Sequence, residues 1–301
     1  MAKFRSIINM KLKNINNDII IGTAQLGTKY GITNKHINFD KNKRLLFLHY
    51  IYNKGYKTFD TAYAYKNAHK ILGNWIKKRD IQPKIYTKIA NLQKYSFKNI
   101  KQIYEDSIKI LNIKTIKGLL LHNHLDWKQD SVKHFISESL EKSIIKKFGF
   151  SIYDVKDIPI DPLVNIIQVP GNIFNQTILD SNELNKFRNK GGIVQIRSIF
   201  IQGLLLMDIK DISLDFEELR KPLYCFHNYA KELNTNSFIL AILCVKKKFP
   251  EAKLVLGFDN IKQFSALNNI EKHKISDSDL NEVIKYGKKN NNKLWDPRNW
   301  K

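Results

Sequence analysis

Short, mostly apolar and β-favouring runs alternate along this chain with longer stretches in which apolar residues return every third or fourth position. The runs fall at 19–24, 57–60, 84–87, 119–121, 148–150, 166–169, 193–196 and 253–256. Apolar on consecutive rather than alternate positions, they predict strands covered on both faces. Between them the helical period shows at 42–54, where Leu45, Leu46, Leu48 and Ile51 recur and Gly55 stands as a C-cap. The same period predicts helices at 68–78, 97–111, 132–146, 183–190, 216–233, 237–247, 261–268 and 277–288.

Strands buried on both faces and separated by helices belong to a parallel sheet. Eight such units in 301 residues predict an α/β fold of the (β/α)8 TIM-barrel type, as a single domain. Residues 1–17 read as an N-terminal arm or hairpin. Residues 289–301 read as a C-terminal tail in which Trp295 and Trp300 anchor by packing. A doubly wound open sheet is the alternative. The glycines of Gly22-Thr23-Ala24-Gln25-Leu26-Gly27 lack the spacing of a dinucleotide fingerprint, which weighs against it.

A barrel gathers its chemistry at the C-terminal ends of its strands. There the sequence puts Thr23, Asp60, Lys88, His122, Ser151, Gln168, Arg197 and Gly257. Carboxylates are poor strand residues, so Asp60 reads as the polar end of a buried strand. Buried there it needs a cation, and the next run supplies Lys88. Tyr65 follows Asp60 by a short turn, and the fourth run ends on His122. Together these four residues predict a proton-donating site. A phenol near its ordinary pKa of about 10 is a reluctant acid, and a neighbouring ammonium group lowers it. Plainer readings stand beside this one: a structural Asp60–Lys88 pair, Tyr65 as a packing residue, and Arg197 as partner to a carboxylate. His122 and His124 have the spacing of a metal pair on a strand, but no third ligand follows, so no metal is expected.

Composition changes little. The two cysteines, Cys225 and Cys244, provide neither a disulfide framework nor metal spacing, which suits a reducing, cytoplasmic setting. No apolar run has membrane-spanning length, and the basic start Met1–Arg5 leads into no apolar leader. The net charge of +23 raises nucleic acid as a partner. Its lysines are spread over the whole chain rather than gathered on one stretch, so no nucleic-acid partner is expected.

The pieces Gly22-Thr23-Ala24, Asp60-Thr61-Ala62 with Tyr65, Leu72-Gly73, Lys88, Ser107 through Leu111 to His122, Gly149-Phe150-Ser151, Gln168, Arg197-Ser198, Gln202-Gly203-Leu204-Leu205 and Gly257 stand in an order and spacing that resembles the aldo-keto reductase superfamily over nearly the whole chain. The resemblance implies an NADPH- or NADH-dependent oxidoreductase that reduces the carbonyl of a small molecule, sugar-derived carbonyls included. It implies Tyr65 as general acid, Lys88 and Asp60 tuning it, and His122 orienting the carbonyl oxygen. Ser151 and Gln168 match positions that hold the nicotinamide amide, and Ser198 and Phe200 match the pyrophosphate stretch. Gly22 and Thr23 match the strand end beneath the nicotinamide ribose.

The chain also departs from the pattern. Arg197 stands where an aromatic ring often stacks on the nicotinamide, and as its guanidinium plane can also stack it is expected among the cofactor-binding residues; Ile152 stands where Asn often follows the serine. His69 replaces an acidic residue. Gly257, Phe258 and Gln263 occupy the stretch where basic residues commonly bind a 2′-phosphate. A monomer or weak homo-oligomer is expected. The alternative of a different class is a reductase-like cofactor-binding or regulatory subunit with little turnover.

Overall fold

The computed structural model of the chain describes residues 15–27, 31–32, 41–65, 67–90, 92, 95–258 and 261–300. Eight parallel strands close into a barrel in sequence order. They are β1 Ile19–Gly22, β2 Thr58–Asp60, β3 Lys84–Ile89, β4 Gly118–Leu121, β5 Phe148–Ser151, β6 Ile166–Pro170, β7 Ile193–Arg197 and β8 Lys253–Leu256, with β8 pairing back onto β1. The helices are α1 Ala24–Gly27, α2 Lys41–Asn53, α3 Ala68–Arg79, α4 Phe97–Leu111, α5 Asp130–Glu141, α6 Asn182–Asn189, α7 Glu217–Glu232, α8 Ser237–Lys248, α9 Ile261–Leu267 and α10 Asp277–Lys289. Ser96, Ser181, Asn236 and Ser276 start α4, α6, α8 and α10, each side chain accepting an otherwise unpartnered backbone N–H of the first turn.

The closed barrel and the strand positions are those the apolar runs predict; the open sheet is not formed. Two stretches differ. α5 stops at Glu141 instead of running to residue 146, because Ser143 takes a left-handed φ of 54° and Ile145 leaves to bridge Ile116. β1 stops at Gly22 instead of running to Ala24, and the short α1 begins at Ala24, where no helix is predicted. Of the expected N-terminal arm, residues 1–14 lie outside the described residues, and Ile15–Asn17 form a 3-10 turn. The tail forms two further 3-10 turns, Lys293–Trp295 and Pro297–Asn299. Trp295 is fully buried and stacks on Phe174 at 4.2 Å, and Trp300 packs its edge on Phe216. Among the described residues no helix is long and apolar enough to cross a membrane.

Side chains on a strand alternate between faces. That alternation builds the site. One apolar layer, Ile20, Tyr86, Leu120 and Ile166 with Ile193 and Val255, is a core cluster separate from the larger one between barrel and helices. It fills the barrel interior as a plug. Two positions further along the same six strands stand Gly22, Lys88, His122, Gln168, Gln195 and Gly257. The polar site therefore rests directly on the apolar plug.

Candidate active site

Backbone hydrogen bonds carry the ladder past the strand ends and fix each functional residue. Thr61 N–H donates to the Tyr86 carbonyl at 2.9 Å, Tyr63 N–H to Lys88 O at 3.0 Å, and His122 N–H to Ile89 O at 2.7 Å. A turn closed by Tyr65 N–H donating to Ala62 O then presents Tyr65, whose own carbonyl accepts from Ala68 N–H at the start of α3. The backbone of α1 lies against this turn. A Cβ on Gly27 would fall 1.9 Å from the Tyr65 carbonyl oxygen, so only glycine permits the contact.

Lys88 is 1% exposed, and its Nζ lies 2.6 Å from both oxygens of Asp60 and 3.2 Å from the Thr61 carbonyl. Asp60 also accepts from Gln168 Nε2 at 2.9 Å, and the same nitrogen donates to Gln195 Oε1 at 2.9 Å. The four form one buried polar network above the plug. Two of its atoms, Gln168 Oε1 and Gln195 Nε2, have no partner in the protein. A buried amide oxygen left without a donor is costly unless a ligand or water completes it.

The Lys88 ammonium sits 5.5 Å from the centre of the Tyr65 ring, and the rings of Tyr65 and His122 meet edge to face at 6.1 Å. Tyr65 is thus placed beside both groups expected to work with it. Its pKa is nevertheless raised, first by burial and then by the Asp60 carboxylate, while the Arg197 guanidinium pulls it back down. The expected acidifying influence of Lys88 is offset because that ammonium is bound to Asp60 by both oxygens. His122 is pushed down to about 4, by burial first and by the Lys88 and Arg197 charges after it, so its imidazole is neutral near pH 7. His69, also about 4 through burial and Lys88, is a neutral packing residue whose Nε2 meets Thr87 Oγ1 at 3.1 Å.

A cleft partly open to solvent lies over this layer. Of the residues predicted from sequence, Gly22, Thr23, Asp60, Tyr65, Gln168, Arg197, Ser198, Phe200, Gly257 and Gln263 all line it. Lys88, His122 and Ser151 are not on its wall. Ser151 is buried at the end of β5, paired in register with Gln168. The cleft also draws on Gln25 and Gly31, which the sequence did not single out, and on Gln202, which stands in the family pattern without an assigned role. Gln25 sits two residues beyond the predicted Thr23, and Gly31 reaches the wall because Ile32 N–H donates to the Gln202 carbonyl at 3.1 Å.

The segment after β7 is held in an unusual shape, with positive φ at Ser198 (62°), Ile201 (51°), Gln202 (53°) and Gly203 (98°). For a β-branched residue such as Ile201 this is strained, and such strain concentrates at ligand clamps. The Arg197 guanidinium lies over the Tyr153 ring, Cζ to centroid 4.2 Å, and donates to Ile152 O at 3.3 Å. His124 is 3.4 Å from Asp157. Among the described residues no three His, Cys, Asp or Glu side chains gather as a metal site.

A sequence model described as the Aldo/keto reductase family matches residues 18–287. No curated protein matches the chain. Among solved structures, the chain is similar to the glycerol dehydrogenase AKR11B4 from Gluconobacter oxydans, with a TM-score of 0.70 at 20% identity over 89% of this chain and 90% of that one. It is also similar to a thermostable aldo-keto reductase, Tm1743, solved with the inhibitor epalrestat, with a TM-score of 0.68 at 15% identity over 89% and 94% of the two chains. At these identities the structural likeness establishes the shared barrel.

Proposed function

As the chain belongs to the aldo/keto reductase family, an oxidoreductase family that uses NAD(P)H to reduce small-molecule carbonyls, we propose that it reduces an aldehyde or ketone to the alcohol with Tyr65 as proton donor. The observation that carries this reading is the convergence of Asp60, Tyr65, Lys88 and His122, from three consecutive strand ends, beneath and beside a single cleft. The reading requires a dinucleotide, and the residues present fit one. Gln168 offers a buried, unpartnered Oε1 to a carboxamide N–H. The strained Ser198–Gly203 backbone borders the cleft, and Gly22 and Gly257 keep its floor low. Thr23 and Phe200 line the same wall, Gln263 closes the β8 end, and Ser151 supports Gln168 from the adjoining strand. When bound, the reduced nicotinamide supplies the hydride.

The chain's own groups handle the proton. Burial keeps the Tyr65 phenol protonated at neutral pH, so it stands loaded as an acid. An alkoxide forming beside it is a far stronger base than phenolate and takes the proton from Tyr65 Oη. The neutral His122 ring can then donate one N–H toward the carbonyl oxygen and hold its direction. The Lys88 ammonium sits 5.5 Å from the centre of the phenol ring with its charge offset by Asp60, and the Arg197 guanidinium favours the phenolate left behind. The lining of the β8 end by Gly257 and Gln263 favours a cofactor without a 2′-phosphate, so NADH is the expected partner.

The test is consumption of NADH and of NADPH with a panel of aldehydes, ketones and keto sugars, with the alcohol product identified. Turnover of at least one carbonyl, faster with NADH, is the expected result. Cofactor binding with no turnover across the panel would favour the regulatory-subunit alternative.

A further inference from the structure

Arg197 and Arg298 both lay guanidinium groups over the ring of Tyr153, with Cζ 4.2 and 4.5 Å from its centroid. Their polar partners differ. Arg298 is saturated: Nε and Nη2 donate to Asp296, and Nη1 and Nη2 to Asp154. Among the described residues Arg197 makes two long hydrogen bonds only, Nη1 to Ser198 Oγ at 3.4 Å and Nη2 to Ile152 O at 3.3 Å. Among the described residues no carboxylate lies within ion-pair distance of it. A guanidinium carries five N–H donors in a planar fork matched to carboxylate and phosphate. Most of that fork is unused on Arg197, and its charge is uncompensated.

The residue is half-buried at the end of β7 and lines the same cleft as Tyr65 and Asp60. An unpaired cation held partly out of water, in a chain already carrying a net charge of +23, is unfavourable on its own. The fold nonetheless keeps it in place. Tyr153 presents the ring it rests on, and Arg298 with its two aspartates tethers the C-terminal segment to the same ring.

We infer that Arg197 anchors an anionic group carried by the carbonyl substrate, so that the enzyme prefers oxo acids and other anionic carbonyl compounds to neutral ones. The inference rests on the reductase reading above and names its substrate class. Of its two contacts, Ser198 Oγ belongs to the stretch matched to the pyrophosphate and Ile152 O lies away from it; the second carries the substrate reading, and the cofactor Kd below separates the two sources. The guanidinium reaches the carbonyl of Ile152, just after β5, which lies across the barrel from β1 and from the Gly31, Gly257 and Gln263 end of the cleft. Its charge also bears on both Tyr65 and His122, the groups assigned to the reacting carbonyl.

Steady-state kinetics decide it. kcat/KM is measured at saturating cofactor for glyoxylate and 4-oxobutanoate against acetaldehyde and butanal, in wild type, Arg197→Met and Arg197→Lys. Wild type is expected to favour an oxo acid over its neutral analogue by about tenfold to hundredfold, the worth of a charge-assisted contact. Arg197→Met should lose that ratio, and Arg197→Lys should recover part of it. A wild-type ratio near unity, or one unchanged in Arg197→Met, overturns the inference. So does a rise in the cofactor Kd of Arg197→Met with the ratio intact, which would assign the guanidinium to the dinucleotide. If no carbonyl is reduced, the reductase reading fails separately and a binding arm still reports on the anion. There 4-hydroxybutyrate, with NADH present, should raise the Tm of wild type and not of Arg197→Met; equal shifts overturn the inference.

Discussion

Asp60→Asn keeps the shape of the side chain and removes its charge from beside Lys88. The ammonium, 1% exposed and 2.6 Å from both carboxylate oxygens, would lose that carboxylate and keep the Thr61 carbonyl at 3.2 Å. Breaking one side of a buried pair costs about 3–5 kcal/mol. Unfolding entropy of about 2.1 cal/mol/K per residue amounts to about 0.6 kcal/mol/K over 301 residues, so Tm should fall by about 5–8 °C. Lys88→Met should cost a similar amount by leaving Asp60 with Gln168 as its remaining donor. The double variant removes both charges and should lose less than the sum, with a coupling of about 2 kcal/mol. Thermal unfolding of the four proteins near neutral pH measures this. The deficit of Asp60→Asn should also narrow as pH rises toward about 10, where the lysine of the unfolded chain loses its proton too. An Asp60→Asn protein that melts with wild type, or single losses that simply add, would refute the coupled buried pair.

Two further outcomes are expected. His69 and His122 are both depressed from 6.5 to about 4 in the folded chain, so the unfolded chain binds more protons between those values. Stability is therefore intact above about 6.5 and falls as pH drops toward 4, by about 3 kcal/mol for each histidine. Denaturant unfolding across that window should show a visibly shallower fall for His69→Gln/His122→Gln than for wild type, and parallel curves would contradict the assignment. Gly149→Ala would place a Cβ 1.9 Å from the Ile166 carbonyl oxygen, forcing β5 and β6 apart. A loss of about 3 kcal/mol is expected, measured by the same unfolding; a neutral result would mean the strands can part there at no cost.

The barrel was legible because strand burial on both faces leaves a trace, runs such as 119–121 with no polar alternation, separated by stretches of helical period. The polar ends of those runs pointed to the candidate site, since a charged residue closing a buried strand is costly unless it meets a partner there, as Asp60 meets Lys88. What escaped is what depends on three dimensions. Gln195 sits inside an apolar run, and only barrel closure shows that it meets Gln168. Gly31 reaches the cleft through a loop-to-loop hydrogen bond, from its neighbour Ile32 to Gln202, that no local period encodes. α5 ended early because Ile145 found a bridge partner in Ile116, a tertiary contact that overrode a helical period. The raised pKa of Tyr65 was likewise hidden. Sequence placed a cation near the phenol, but not the two-oxygen grip of Asp60 that offsets it.

The central claim, that the Tyr65 phenol delivers the proton to a carbonyl at the mouth of this barrel, is tested most directly by Tyr65→Phe. Fluorescence titration with NADH first establishes that the cofactor still binds with wild-type affinity. Steady-state reduction of the best aldehyde should then fall by about a hundredfold to ten-thousandfold in kcat/KM, the usual worth of a positioned acid. A Tyr65→Phe protein that binds cofactor and reduces the aldehyde as fast as wild type would contradict it.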